Sequence, residues 1–163
     1  MVQIIEQDLL TFDCDVFCHQ VNCQGKMRSG IAKLIREKYP KVYTEYKNKC
    51  DNAISHKNLL GHCQMVEIEP NRYCANLFGQ LYYGYDNVRY TDESAVYCMF
   101  MNLYDWCNYA IYEFENYKRI KLGIPYKIGC GLGGGNWDNI LRIINEIFNK
   151  SDVIDVYICK ITD

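Results

Sequence analysis

No apolar run in this chain approaches the ~18–20 residues that a helix needs to cross a bilayer. The opening stretch MVQIIEQDLL has no basic lead, and its apolar part is too short for a secretory leader, so a cytoplasmic location is expected. There is almost no charge imbalance either. Eighteen Lys and Arg stand against twenty Asp and Glu, a formal net charge of −2. That excludes a general nucleic-acid binder relying on a basic face. The basic residues between Lys26 and Lys49 are interleaved with acidic ones and read as a solvated helical surface. No internal repeat or low-complexity segment occurs. No C-x-x-C pair exists among the ten cysteines, and most of them lie in apolar, strand-like or helix-like runs. Such cysteines behave as small buried hydrophobes, so a reduced protein without disulfides, zinc or any other metal is expected. Walker A, G-x-x-x-x-G-K-[ST], is also missing, which removes a P-loop.

What remains is an ordinary globular composition, with 49% hydrophobic and 23% charged residues over 163 positions. That suits one domain spanning 1–163, with enough chain to bury a core. Strand signals fall at Met1–Glu6, Asp15–Asn22, Gly61–Ile68, Tyr73–Phe78, Lys121–Ile128 and Val153–Lys160. Pro125 inside the fifth of these puts it near a sheet edge or a bulge. Helical patterns cover Gly30–Tyr39, Lys41–Cys50, a long stretch from an N-cap at Thr91 to about Lys118, and the amphipathic WDNILRIINEIF at Trp137–Phe148. Strands alternate with helices, which predicts an α/β protein with one mixed sheet and helices on both faces.

Ligands of such folds bind beyond the carboxyl ends of strands. Two loops there stand out, each between a strand and a helix. One is VNCQGKMRSGIAKL, Val21–Leu34. The other is GCGLGGGNW, Gly129–Trp137, which holds five of the chain's eleven glycines. Both predict unpaired backbone N–H groups at a helix start, where oriented amides and the helix dipole attract phosphate without lysine. Gly129, Gly131 and Gly134 match G-x-G-x-x-G. Too little chain follows for a dinucleotide-binding domain, because only one helix and one strand remain. Cys130 lies in this loop without a base beside it in sequence.

Taken together and in order, QDLLTF, VNCQGKMRSGIAKLIREKYP, ANLFGQ and IPYKIGCGLGGGNW resemble the macrodomain family over nearly the whole chain. Within it the chain is similar to the compact single-domain group that includes terminal ADP-ribose protein glycohydrolases and ADP-ribose-1″-phosphate phosphatases. The resemblance implies a three-layer α/β/α macrodomain with a central mixed sheet and a cleft for ADP-ribose, free or attached to a macromolecule. No cofactor is expected, and nothing in the sequence suggests an obligate dimer, so a monomer is expected. Asp8 would accept from the adenine amino group, with Leu9 beside it. Val21 and Asn22 would lie by the distal ribose. Ser29, Gly30, Ile31 and Ala32 would line one side of the diphosphate, and Gly129, Cys130, Gly131, Leu132, Gly133 and Gly134 the other.

The chain also departs from that pattern. Gln80 stands where the glycohydrolases carry a lysine, and Gly133 where they carry an aspartate. Arg28 replaces a small residue. A hydrolase would therefore act through a water held near Asn22, with Lys26 the nearest cation to the distal ribose. Lys26 would polarise a leaving group or hold a phosphate, or else be a solvent-facing loop lysine. The alternative is a module that binds ADP-ribose without turnover. His19 is expected in the core. Tyr82, Tyr83, Tyr85 and Tyr90 would cover the distal end of the cleft or form a surface patch.

Overall fold

A computed structural model describes residues 1–162. One six-stranded sheet runs through it, formed by β1 (Val2–Glu6), β2 (Val16–Asn22), β3 (Cys63–Glu69), β4 (Arg72–Gln80), β5 (Ile120–Pro125) and β6 (Ile154–Lys160) in the order β1-β6-β5-β2-β4-β3. All neighbours are parallel except the β3–β4 pair, so the sheet is mixed, as expected. Helices α1 (Gly30–Lys38) and α2 (Pro40–Asp51) cover one face, and α3 (Glu93–Glu113) and α4 (Trp137–Phe148) the other. The result is the three-layer α/β/α arrangement.

Strand alternation divides the core into two layers. Val16 and Cys18 of β2, Ala75 and Leu77 of β4 and Ile154, Val156 and Ile158 of β6 pack under α3 and α4. Phe17, Val21, Cys74 and Phe78 face the opposite way, against Ile35, Val42 and Tyr46 of α1 and α2. Both faces of the inner strands are therefore apolar, as parallel strands require. Among the described residues no helix is long and apolar enough to cross a membrane.

Three local expectations are corrected. Pro125 is not near a sheet edge; it is the last residue of β5, an inner strand between β6 and β2. Its missing N–H costs little there, because β2 pairs with β5 only at Val16–Phe17 and the strands part beyond Gly123. The ladder to β6 resumes at once, with Tyr126 N donating to Cys159 O at 2.9 Å. Helix α3 is capped by Asp92, whose carboxylate accepts from Ala95 N, rather than by Thr91, whose hydroxyl is engaged elsewhere. The same helix stops at Glu113 rather than near Lys118, where Phe114 turns extended and its ring packs among Trp106, Tyr109 and Tyr117.

His19 lies in the core, fully buried. Its Nε2 donates to Asn76 Oδ1 at 2.6 Å, Asn76 donates onward to Gln64, and His19 Nδ1 has no partner. Burial pulls the imidazole's pKa down to about 4, with the Asn76 hydrogen bond opposing the shift. The unfolded chain, with an ordinary histidine near 6.5, therefore binds the proton first as pH falls. His19 should contribute nothing pH-dependent above pH 6.5 and withdraw stability from pH 6.5 down to about 4, by an amount on the order of 3 kcal/mol over that window. Urea denaturation at pH 7 and pH 4.5 checks this, and His19→Gln should flatten the loss.

Candidate functional site

Where β5 and β2 part, a cleft of about 750 Å³ opens along the carboxyl edge of the sheet. Its wall follows the strand order. The tip of β6 and the turn after β1 bring Asp8, Leu9, Leu10 and Lys160 to one end. The loop after β5 brings Tyr126 to Gly133, the loop after β2 brings Asn22 to Ile31, and the loop after β4 brings Gln80 to Tyr85. Asp8, Leu9, Val21, Asn22, Lys26, Ser29, Gly30, Ile31, Ala32, Gln80, Gly129, Gly131, Leu132 and Gly133 all line this one cleft.

Two predicted members do not. Cys130 packs against the α3/α4 core with its Sγ 3.4 Å from Ile128 O, and burial raises its thiol pKa, so it is no exposed thiolate. Gly134, at φ +68°, lies against Val88 and Arg89 behind the wall.

The centre of the cleft is lined by backbone donors without acceptors. At α1, Gly30, Ile31 and Ala32 N–H come before the first intrahelical acceptor. Ser29, the N-cap, makes no side-chain capping bond, and the first turn carries no acidic residue. The positive end of the helix is thus left open to an anion. Opposite it, the N–H groups of Gly129, Gly131, Leu132 and Gly133 have no acceptor among the described residues. The sequence expectation placed these amides at the start of α4. The structure differs, because Asn136 caps α4 through Asn139 N, and the free donors are upstream in the loop.

The glycine loop is held open by its neighbours. Gly135 N donates to Gly129 O at 2.8 Å, and Tyr90 N and Thr91 N donate to Gly133 O at 2.8 and 2.9 Å. Thr91 Oγ1 donates to Gly129 O at 2.7 Å and accepts from Gln20 Nε2 at 2.8 Å. Gln20 also donates to Gln80 Oε1 at 2.9 Å, and Gln80 Nε2 donates to Tyr82 O at 2.8 Å. Gln20 Oε1 is buried without a partner, so close to the Gly129 backbone that a Cβ there would stand 2.7 Å from it. Gly129 is also at φ +74°, which favours glycine. Gly133 sits on the same floor, where a side chain would meet Thr91 Oγ1 at 2.6 Å and Gly129 O at 2.8 Å.

The other loop is pinned from below. Tyr46, fully buried, places its hydroxyl 2.7 Å from Asn22 O, 2.8 Å from Asn22 Oδ1 and 3.1 Å from both Gly25 N and Lys26 N. Burial raises its pKa strongly, keeping it a neutral donor. Asn22 Oδ1 also accepts from Gln24 N at 2.9 Å, an Asx turn, and Nδ2 donates one hydrogen to Lys26 O at 2.9 Å. One Nδ2 hydrogen is left for a ligand. Asp8 is similar, with Oδ1 accepting from Leu10 N at 2.9 Å and its second oxygen without a protein partner.

Sequence reasoning missed Gln20, a polar residue within an apolar strand whose side-chain partners, Gln80 and Thr91, come from two distant segments. It also missed Tyr126, Lys127, Lys160 and Ile161, which follow β5 and β6 on the same carboxyl edge. The tyrosines after β4 divide. Tyr83 and Tyr85 line the cleft, whereas Tyr82 and Tyr90 do not. Among the described residues no group of three or more His, Cys, Asp or Glu is arranged to hold a metal.

No family model matches the chain. Among curated proteins it is similar to the ADP-ribose 1″-phosphate phosphatase of Candida albicans, 26% identical over 91% of this chain and 95% of that protein. Among solved structures it is similar to the macrodomain of Thermus aquaticus DarG, with a TM-score of 0.78 at 18% identity over 98% of both chains. The Oceanobacillus iheyensis macrodomain, solved with ADP, aligns with a TM-score of 0.71 at 15% identity over 98% of this chain and 83% of that one. The fold is that of a macrodomain.

The strap through Thr91 makes a testable demand. Thr91→Val keeps the shape and removes both hydroxyl bonds, so it should speed amide hydrogen exchange at residues 129–135. Thr91→Ser should restore both. Exchange that is the same in Thr91→Val and wild type would remove Thr91 from this role.

Proposed function

We propose, from a macrodomain fold carrying this cleft, that the chain is a hydrolase of ADP-ribose derivatives. The candidate substrates are protein-linked esters, O-acetyl-ADP-ribose and the 1″-phosphate. One observation carries the proposal: two sets of unpaired amides, Gly30–Ala32 and Gly129 with Gly131–Gly133, line one cleft of about 750 Å³. A diphosphate is the ligand that such sets fit, because each N–H needs an acceptor and the α1 dipole needs an anion. The similarity to an ADP-ribose 1″-phosphate phosphatase supports turnover. The similarity to a macrodomain solved with ADP supports the nucleotide end.

With the diphosphate so held, adenine lies toward Asp8, whose free carboxylate oxygen accepts from an exocyclic amine. The terminal ribose lies toward Asn22 and Gln80. Neither Gln80, with both polar atoms engaged, nor Gly133 supplies a nucleophile. Water is therefore the attacking group. Its oxygen forms the new bond, the bond to the terminal ribose oxygen breaks, and the leaving ribose oxygen takes up a proton. Catalysis rests on placement and on donors such as Asn22 Nδ2 and Lys26 facing the developing charge. The setting assumed is a cytoplasmic monomer acting on free or macromolecule-linked ADP-ribose.

A second reading, a module that binds ADP-ribose without turnover, is favoured by the same lack of a nucleophile at Gln80 and Gly133. Incubation with ADP-ribosylated protein, O-acetyl-ADP-ribose and the 1″-phosphate separates the two. Release of ADP-ribose from at least one is expected. Calorimetric binding with no release from any would select the second reading, and no binding would refute both. Gly131→Val is the companion test. A Cβ at Gly131 meets nothing within 4 Å, so its side chain enters open space in the cleft rather than the fold. The variant should melt like the wild type and lose ADP-ribose binding.

A further inference from the structure

We infer that Lys127 and Lys160 form a subsite for a phosphomonoester on the adenosine ribose, so that the cleft prefers a nucleotide phosphorylated at the 2′- or 3′-hydroxyl of that sugar. The inference rests on the reading that ADP-ribose occupies the cleft, with adenine toward Asp8 and the diphosphate on the amides. In such a ligand one ribose stands between the base and the diphosphate. In the fold, the order β1-β6-β5 puts the tips of β6 and β5 between Asp8 and the glycine loop. Lys160 ends β6, Lys127 follows the end of β5 at Pro125, and both line the cleft.

The two lysines stand on fixed backbone. Tyr126 N donates to Cys159 O at 2.9 Å and so ties one tip to the other. Gln7 N donates to Lys160 O, and Cys130 N to Lys127 O, each at 3.0 Å. Both Nζ atoms approach the Tyr126 ring, at 5.7 Å from its centroid for Lys127 and 5.0 Å for Lys160. Neither has an ion pair among the described residues. Two like charges drawn to one ring repel each other, and a shared anion offsets that repulsion. Lys127 is also held at φ +56°, in the left-handed region. The other non-glycine residues at positive φ among the described residues are Asn71 and Asn87, a residue type that tolerates it. Lysine has no such tolerance, and glycine would sit there without strain. A strained lysine on the wall of a cleft points to a use for its side chain.

The charge on the wall says what the ribose carries. A carboxylate accepts from the 2′-hydroxyl of an unmodified adenosine ribose, whereas a 2′-phosphate calls for a cation in the same place. Asp8 is the only carboxylate among the described lining residues. One of its oxygens accepts from Leu10 N, and adenine takes the other in this reading. No carboxylate is left for the ribose, and two lysines are. A phosphomonoester brings close to two negative charges near pH 7, and each ammonium meets it as a point charge. The diphosphate makes no call on these lysines, because the amides of α1 and the glycine loop meet it.

Calorimetry with ADP-ribose, its 2′-phosphate and its 3′-phosphate tests this without turnover, since none carries a group to release from the terminal ribose. Wild type should bind one of the phosphorylated forms about tenfold or more tighter than ADP-ribose, the worth of a charge-assisted contact. The preferred isomer identifies the hydroxyl that bears the phosphate. The preference should shrink as sodium chloride rises from 50 to 500 mM. Lys127→Gly/Lys160→Gln should bring the three affinities together at the wild-type value for ADP-ribose. Glycine relieves the positive φ, so this variant should melt no lower than wild type. Lys127→Arg/Lys160→Arg should keep the preference. Wild type that binds ADP-ribose as tightly as both phosphorylated forms overturns this inference and leaves the functional reading standing. A double variant that weakens all three ligands equally assigns the lysines to the diphosphate and also overturns it. Wild type that binds none of the three refutes the functional reading and the inference together.

Discussion

Backbone donors without acceptors are the feature on which this molecule turns. A folded chain rarely leaves buried or half-buried N–H groups unpaired, because each costs about what a lost hydrogen bond costs. Here two sets of unpaired N–H groups, from exposed at Gly30, Gly131 and Leu132 to buried at Gly133, line one cleft, and both are kept open by bonds made elsewhere. Thr91, Tyr90 and Gly135 occupy the carbonyls of Gly129 and Gly133, so the loop is not free to fold its own amides inward. Tyr46 and Asn22 do the same for the loop that leads into α1. Much of the polar network under the cleft keeps these donors open, the arrangement on which the proposed function rests.

That arrangement explains the mild net charge. A diphosphate met by amides and a helix dipole needs little help from lysine or arginine. It leaves the cleft's cations available for other parts of a ligand. It also explains the chemistry on offer. With Gln80 and Gly133 committed to the floor of the glycine loop, the site offers donors and placement rather than a nucleophile. That equipment suits attack by water on a group that brings its own charge.

Much of the fold could be read from the sequence because its signals are local. The amphipathic period of Trp137–Phe148, the apolar strands and the alternation of strand and helix specify a layered α/β protein. The two loops that line the cleft could be read for the same reason, since glycines and a polar turn between a strand and a helix mark the carboxyl edge of such a sheet. What could not be read depends on contacts between distant segments. Thr91 looks like an N-cap until Gln20 and Gly129 claim its hydroxyl, 71 and 38 residues away in sequence. Gln20 looks like an interruption in a strand until the loop above it is placed. Pro125 looks like an edge residue because the parting of β2 from β5 is invisible in either strand alone. Cys130 and Gly134 sit in the right loop, yet the turn sends them behind the wall. Composition cannot tell which residue of a tight turn faces which way.

The central claim is that main-chain N–H groups of Gly30–Ala32, Gly129 and Gly131–Gly133 are what the ligand binds. Amide chemical-shift mapping by NMR, with ADP-ribose titrated into isotope-labelled protein, addresses it most directly. Saturable shifts should concentrate on Ile31, Ala32, Gly131, Leu132 and Gly133, with Asn139 and the rest of α4 quiet. Saturable shifts centred elsewhere, with these amides unmoved, would contradict it.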